Sequence, residues 1–254
     1  MNSTTPSSAD LNALLRRITV IGDHADRHRL SETLARAQAP VSVGFINQHG
    51  LNLCCADAGF RLGLLDCDVL LRDGAGMKIA LRLFGLEPGL NMNGTDYIPE
   101  LLAALRRHRR DCSLHLYGTQ QPWLDLAGRR LAAEHSLPTV TRDGFLPGES
   151  YVEAALADPA AFKLIVLGMG MPKQEQVART LKNALDGPAL IICGGAILDF
   201  LAGRVPRAPR WMQRAGLEWA YRLLQEPRRL FRRYVIGIPY FFARICSARL
   251  RTST

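Results

Sequence analysis

The chain has 254 residues, of which 48% are hydrophobic, and this is enough for one domain with a full hydrophobic core. It contains no run of about 18 uncharged apolar residues, so we predict no membrane-spanning helix. Its six cysteines include no C-x-x-C pair, which argues against a zinc site, and we expect reduced thiols in a cytoplasmic protein.

The first eleven residues are rich in Ser and Thr and lack the basic and then apolar order of a signal peptide, so we expect a disordered leader over residues 1–11. From residue 12 to residue 203, short apolar runs alternate with longer stretches of helical periodicity. The apolar runs predict strands at Ile18–Ile21, Val41–Ile46, Val69–Leu71, Leu114–Tyr117, Thr139–Thr141, Leu164–Leu167 and Leu190–Cys193. The periodic stretches predict helices at Leu30–Ala37, Leu51–Ala58, Gly76–Phe84, Thr95–Arg107, Gln121–His135 and Lys173–Leu185. This alternation predicts an α/β core over residues 12–203, with a mostly parallel sheet covered by helices on both faces.

Ligands of such sheets bind at the carboxyl ends of the strands, and two of these ends carry candidate motifs. Gly168 and Gly170 form a G-x-G turn before a helix, which either brings backbone N–H groups to a phosphate or is only a tight turn. Asp73 follows another strand and precedes Gly74, where a carboxylate either serves as a general base or belongs to a plain Asp-Gly turn.

A D-x-D triplet, Asp66 and Asp68, resembles the metal-binding triplet of many nucleotide-sugar enzymes. It leads into a predicted strand and therefore lies at the amino end of the sheet, away from the expected site. We therefore predict that it binds no metal.

The segment 204–254 differs in charge from the rest of the chain. Its twelve arginines and two glutamates give a net charge of +10 and leave the other 203 residues at −1, and it holds eight of the 18 aromatic residues. We predict helices over Trp211–Gln225 and Arg228–Ile236. Nine uncharged residues, Val235–Ala243, are too few to cross a bilayer core of about 30 Å but suit its interface. We expect a basic, aromatic appendage that associates with anionic lipid; the alternatives are nucleic-acid binding and a terminal helix packed on its own domain.

Several short motifs follow one another in a specific order. They are Asn47 at a strand end, Asp73 in an Arg-Asp-Gly turn, Gly94–Asp96, Leu116–Gly118, Gly168–Glu175, Gly194–Ala196 with Asp199, Arg207–Pro209, Leu217–Trp219, Tyr221–Arg222, Glu226–Pro227 and Arg233–Tyr234. In this combination, over roughly residues 41–234, the chain resembles the WecG/TagA/CpsF family of bacterial glycosyltransferases, also called glycosyltransferase family 26.

The resemblance implies a Rossmann-like core and an inverting, metal-independent transferase without a cofactor. Such an enzyme takes a UDP-sugar donor and a polyprenyl-diphosphate-linked acceptor at the inner face of the plasma membrane, in cell-surface polysaccharide synthesis, and binds no nucleic acid. By position, Asp73 matches the base, and Asn47 and Gln174 match polar active-site residues. The residues predicted to contact substrate are Gly118, Gly168, Gly170, Asp199 and the diphosphate-binding Arg222, Arg229 and Arg232.

Two positions depart from the family pattern. Phe45 stands where the family often has Thr, and Asn91 stands where it often has Arg, which suggests a different donor or acceptor sugar such as a neutral hexose. Two other functions compete with this one. A nucleotide-binding oxidoreductase would need the full G-x-G-x-x-G, which is missing, and a non-enzymatic membrane- or nucleic-acid-associated protein would use only the basic tail. The sugar and the oligomeric state stay open.

Overall fold

A single sheet organises the molecule, which the computed structural model describes for residues 8–109 and 111–251. Its strands are β1 (Pro40–Ile46), β2 (Val69–Arg72), β3 (Cys112–Gly118), β4 (Thr139–Arg142), β5 (Phe162–Gly168) and β6 (Ala189–Cys193). They lie in the order β2-β1-β6-β5-β3-β4, and every neighbouring pair is parallel. The predicted α/β, Rossmann-like class is confirmed.

Helices connect the strands and extend beyond the sheet at both ends of the chain. They are α1 (Ser8–Arg16), α2 (His24–Ala35), α3 (Gln48–Ala56), α4 (Ala58–Leu65), α5 (Ala75–Leu83), α6 (Gly94–His108), α7 (Trp123–His135), α8 (Gly148–Leu156), α9 (Lys173–Ala184), α10 (Ile197–Leu201), α11 (Arg210–Arg214), α12 (Glu218–Gln225), α13 (Pro227–Phe231) and α14 (Gly237–Arg251). A π-helical turn, Arg232–Ile236, joins α13 to α14. None of the helices in the described part of the chain is long and apolar enough to cross a membrane.

The strand predicted at Ile18–Ile21 is wrong. This segment makes a single backbone hydrogen bond to β2, from the Thr19 N–H to the Leu70 carbonyl (2.8 Å). The Ile21 carbonyl then accepts from the Leu90 N–H, outside the sheet. The chain thus leaves the sheet edge before a ladder forms. Ile18 and Ile21 are buried but Val20 is 46% exposed, so the apolar run marks burial without pairing.

The two ends of the chain pack together on the body. Residues 8–11, assigned above to a disordered leader, begin α1, and Leu11 is buried there; residues 1–7 of that leader lie outside the described residues. In α14, Phe241 and Ile245 are fully buried in one cluster with Ile46 and other core residues. The terminal helix therefore completes the core, as in the alternative of a helix packed on its own domain.

The helix predicted over Trp211–Gln225 is broken into α11 and α12. Gly216 adopts φ +71°, and the Leu217 N–H donates to the Met212 carbonyl (2.8 Å), which ends α11 in a left-handed glycine turn. The second predicted helix, Arg228–Ile236, instead continues through the π-helical turn into α14 without a break.

Candidate active site

A cleft of about 1210 Å³ opens at the carboxyl ends of the strands, between the sheet and the tail that follows α10. Its body side consists of residues that come directly after β1, β2, β3, β5 and β6. Its other side consists mainly of residues from α12, α13, the π-helical turn and the first turns of α14. The site therefore lies where a parallel sheet is expected to bind ligands.

Asp73 lies on the floor of this cleft. The Asp73 N–H donates to the Ile46 carbonyl (2.9 Å), which ties the end of β2 to the end of β1. Burial raises the pKa of the Asp73 carboxyl, while a hydrogen bond from Asn47 and the charges of Arg233, Arg72 and Arg222 lower it. Burial outweighs these groups, so the pKa of the Asp73 carboxyl lies above its ordinary value, which is the direction that makes a carboxylate a stronger base.

Asn47 orients this carboxylate from the first turn of α3. Its Oδ1 accepts from the N–H groups of His49 (3.1 Å) and Gly50 (3.0 Å), so the side chain caps the helix and turns its amide toward Asp73. His49 also lines the cleft, and its pKa falls to about 4, first because of burial and then because of the charge of Arg233. His49 is therefore neutral at pH 7.

Arg72 shapes the floor from below and does not itself line the cleft. Its Nε, Nη1 and Nη2 donate to the carbonyls of Pro88, Gly74 and Gly89 at 2.8 to 3.0 Å. The adjacent Gly74 N–H donates to Oδ1 of Asn91 (2.7 Å). Asn91 thus fixes the turn after Asp73.

Gln174 supports the opposite end of the floor from a buried position on α9. Its Oε1 accepts from the Gly195 N–H (3.0 Å) and its Nε2 donates to Oε1 of Glu175 (2.8 Å). Gln174 therefore holds the turn after β6 that lines the cleft. Burial raises the pKa of Glu175 to about 7, and its Oε2 has no partner among the described residues.

The predicted glycines have different positions. Gly168 and Gly170 line the cleft, but Gly118 does not. A Cβ on Gly118 would lie 2.3 Å from the Gly168 carbonyl carbon, so this glycine permits close packing of two strand ends. Thr119 faces the cleft instead, and its Oγ1 donates to Oδ1 of Asp199 (2.6 Å). Arg204 adds a second partner to Asp199 at 3.3 Å.

Charged residues of two sequence motifs form hydrogen bonds or ion pairs with other residues of the body and do not point into the cleft. Lys173 donates to the carbonyls of Gly144 (2.8 Å) and Leu146 (2.7 Å), away from any phosphate on the G-x-G turn. In the D-x-D triplet, Asp68 binds Lys182 (2.6 Å) and Asp66 binds Arg179 (2.8 Å), beyond the amino end of β2.

The tail brings its three predicted arginines to the cleft, and they differ in how far their guanidinium groups are already paired within the protein. Arg222 lies over the Phe200 ring at 5.5 Å, and its Nε is buried without a partner among the described residues. Arg229 is paired with Glu226 through an Nε–Oε1 contact of 2.9 Å, and Arg232 is exposed at the rim. Phe45, the other departure from the family pattern, lines the cleft while it packs in the core.

The cleft residues that were absent from the predicted set include His49, Glu218 and Arg233. Burial raises the pKa of Glu218, and Asp73 adds to this effect, while Arg207 opposes it. Arg207 itself bridges Asp96 on α6 and Glu218 on α12. Glu218 and Arg233 both stand within the motifs that carried the family resemblance, and this was the sequence signal for them.

Comparison with known proteins identifies both a family and a relative. The sequence model described as "Glycosyl transferase WecG/TagA/CpsF family" matches residues 17–254. The chain is also 24% identical, over 228 residues, to the N-acetylglucosaminyldiphosphoundecaprenol N-acetyl-beta-D-mannosaminyltransferase of Bacillus subtilis (strain 168). This alignment covers 88% of the present chain and 84% of the relative.

Proposed function

Because the chain belongs to the WecG/TagA/CpsF family and is a glycosyltransferase, we propose that it transfers a sugar from a UDP-sugar to a sugar carried on a polyprenyl diphosphate. The observation that carries this proposal is the position of Asp73, on the floor of a cleft whose other side is rich in arginine. The name of the B. subtilis relative supports the acceptor, since that enzyme acts on an N-acetylglucosaminyl diphospho-undecaprenol. We place the reaction in the synthesis of a cell-surface polysaccharide.

In the proposed mechanism, Asp73 removes the proton from the acceptor hydroxyl. The hydroxyl oxygen then attacks the anomeric carbon from the side opposite to UDP, forms the new glycosidic bond as the bond to UDP breaks, and so inverts the anomeric configuration. Asn47 donates to the carboxylate and holds it toward the cleft. Gln174 keeps the turn at Gly195 in place beside it.

The leaving UDP gains negative charge, which the protein must stabilise. Arg222, Arg229 and Arg232 stand on the tail side of the cleft, where charge-assisted hydrogen bonds to a diphosphate are available. We propose that these arginines replace a divalent metal. The ion pairs of the D-x-D carboxylates at the other end of the sheet support this.

The tail also suits an acceptor held in a bilayer. Beside its arginines it exposes Leu224 (79%), Phe231 (50%) and Ile236 (55%). Basic and apolar side chains together favour binding to the interface of an anionic membrane. We propose that this surface holds the enzyme at the inner face of the plasma membrane.

A transfer assay tests the function. The full chain is incubated with UDP-N-acetylmannosamine, UDP-N-acetylglucosamine or UDP-glucose and a short polyprenyl-diphosphate N-acetylglucosamine, with and without EDTA. We expect transfer from one donor, inversion at the anomeric carbon by NMR, and no loss with EDTA. Retention of configuration would contradict the single displacement, and loss restored by Mg²⁺ would contradict metal independence. Transfer only from a donor other than a UDP-sugar would contradict the donor class.

A further inference from the structure

The helix α12 borders the cleft with little packing to hold it there. None of its eight residues is buried, although Glu218, Trp219 and Arg222 all line the cleft. A helix of two turns is not stable by itself, and one without a buried face gains little from packing. The position of α12 must therefore come from specific contacts with the rest of the protein.

One such contact is made by Arg207, which lies in the segment that follows α10. Its neighbours Val205 and Ala208 are buried, so the backbone of this segment is anchored to the body. The Arg207 side chain has two acidic partners. Its Nη1 pairs with Oδ1 of Asp96 in the first turn of α6, and its Nη2 lies 3.4 Å from Oε1 of Glu218 in the first turn of α12. One guanidinium thus joins the starts of two helices that border the cleft.

The partner on the body is itself fixed. Oδ2 of Asp96 accepts from Nδ2 of Asn93 (2.8 Å), and Asn93 caps α6 by accepting from the Asp96 N–H (3.0 Å). The Asp96 carbonyl accepts from Nη2 of Arg27 (3.1 Å), which also pairs with Glu100 (2.6 Å). The Arg207 bridge, formed by Asp96, Arg207 and Glu218, therefore connects α12 to a well-held part of the body.

The residue type suits a bridge with two partners. Different nitrogens of one planar guanidinium contact the two carboxylates, whereas a lysine ammonium is a single point charge. Partly exposed ion pairs of this kind contribute little to the stability of a whole protein. Their effect here is local, because α12 has no buried residue that would keep it in place without them.

We propose that Arg207 is a positioning residue whose ion pairs hold the start of α12 against the start of α6 and thereby keep Arg222 over the cleft. Arg222 lies one helical turn after Glu218, and its guanidinium rests 5.5 Å from the centre of the Phe200 ring. The consequence for transfer rests on the diphosphate contact proposed above for Arg222, whereas the consequence for α12 does not.

Amide hydrogen exchange of the full-length protein tests the bridge directly. In Arg207→Met, we expect the amides of residues 220–226 to exchange about five- to tenfold faster, while those of the buried strand β5 keep their wild-type rates. The matched control is Arg210→Met, which removes an exposed arginine at the start of α11 and should change neither set. Arg207→Lys should give an intermediate rate, because it can keep only one of the two ion pairs.

A double-mutant cycle then identifies the partner on α12. Glu218→Gln should by itself speed exchange in α12. The double variant of Arg207→Met and Glu218→Gln should be no faster than Arg207→Met alone, because both changes break the same contact. The urea midpoint of unfolding should stay near the wild-type value in each variant, since α12 buries no residue. Unchanged exchange in Arg207→Met would overturn the inference, and so would effects of the two substitutions that simply add.

Transfer to a water-soluble short-chain acceptor separates the bridge from the group that it positions. Arg207 does not itself line the cleft, so its effect on the reaction must pass through another residue. We expect Arg207→Met to lower kcat/KM about three- to tenfold, and to have no further effect in an Arg222→Ala background. Faster exchange in α12 with normal kcat/KM would support the bridge and contradict the diphosphate role proposed for Arg222.

Discussion

The two sides of the cleft are built by different means. On the body side, Asn47, Asp73 and Gln174 are fixed by backbone hydrogen bonds at the ends of buried strands. On the tail side, α11 and α12 have no buried residue at all. They are held by a few contacts such as Arg207 to Asp96 and Trp219 beside Tyr234. Segments with few buried contacts open most easily. In the proposed reaction, the rigid body side would position the base for proton transfer, while the less tightly held tail side would adapt to the lipid-linked acceptor.

The largest expected effect is on the body side, at Asp73. Asp73→Asn should lower kcat by ~10²–10⁴, the usual contribution of a positioned base, and should leave UDP binding nearly unchanged. The matched control is Asp143→Asn in the other Asp-Gly turn, since an amide oxygen can still accept from the Phe145 N–H as Asp143 does now. Single-turnover rates and UDP affinity by calorimetry check both variants. Near-normal turnover in Asp73→Asn would contradict the base assignment.

The next effect sharpens the contrast within the tail itself, because Phe241 on α14 belongs to the core while Phe231 at the end of α13 does not. Phe241→Ala should lower the free energy of unfolding by about 3–5 kcal/mol, as for other buried phenylalanines, whereas Phe231→Ala, at 50% exposure, should change it by less than about 0.5 kcal/mol. Urea denaturation measures both. For the same reason, we expect a truncation after Gly203 to destabilise the body, so point variants are the better test of the tail. Equal losses of unfolding free energy in Phe241→Ala and Phe231→Ala would contradict the conclusion that only the first of these residues belongs to the core.

A smaller effect is expected at the tail side of the active site. Arg222→Ala should lower kcat/KM roughly 10- to 100-fold, because it removes a charge-assisted hydrogen bond to a diphosphate. Arg222→Lys should recover little, since it lacks the planar fork. Arg214→Ala, an exposed arginine on α11 outside the cleft, is the control. Transfer kinetics measure kcat/KM for each variant. A normal kcat/KM in Arg222→Ala would show that Arg222 on α12 does not bind a diphosphate.

The smallest effect per residue concerns membrane attachment. Each exposed arginine should contribute about 1 kcal/mol of attraction to anionic lipid, and salt should weaken the attraction. Phe231→Asp should reduce sedimentation with phosphatidylglycerol vesicles but spare transfer to a water-soluble short-chain acceptor. Vesicle binding that is insensitive to both salt and Phe231→Asp would contradict a membrane role for this surface.

Much of the body follows from local sequence. Six of the seven predicted strands are correct. Most of them are near-continuous apolar runs, because strands buried on both faces of a parallel sheet cannot alternate with polar residues, whereas the half-buried edge strand β4 is a Thr-Val-Thr run of strand-forming residues. Asp73 and Asn47 were also predictable as site residues, since each immediately follows such a strand. Gly118 was assigned to the substrate because a glycine at a strand end suits both ligand approach and strand packing; only the distance to Gly168 distinguishes them.

The tail shows what the sequence by itself left undecided. Its composition determined a net charge of +10 and a high content of aromatic residues, because these depend only on which residues are present. It did not determine which apolar residues face the core and which face outward. Phe241 and Phe231 have the same side chain, yet the first is fully buried and the second is half exposed. In the same way, Arg232 and Arg233 are identical neighbours, yet the first is exposed and the second is half-buried with its Nε out of solvent, which follows from how α14 packs against α1 and α3. Such choices arise from contacts between residues far apart in the chain, which no local pattern records.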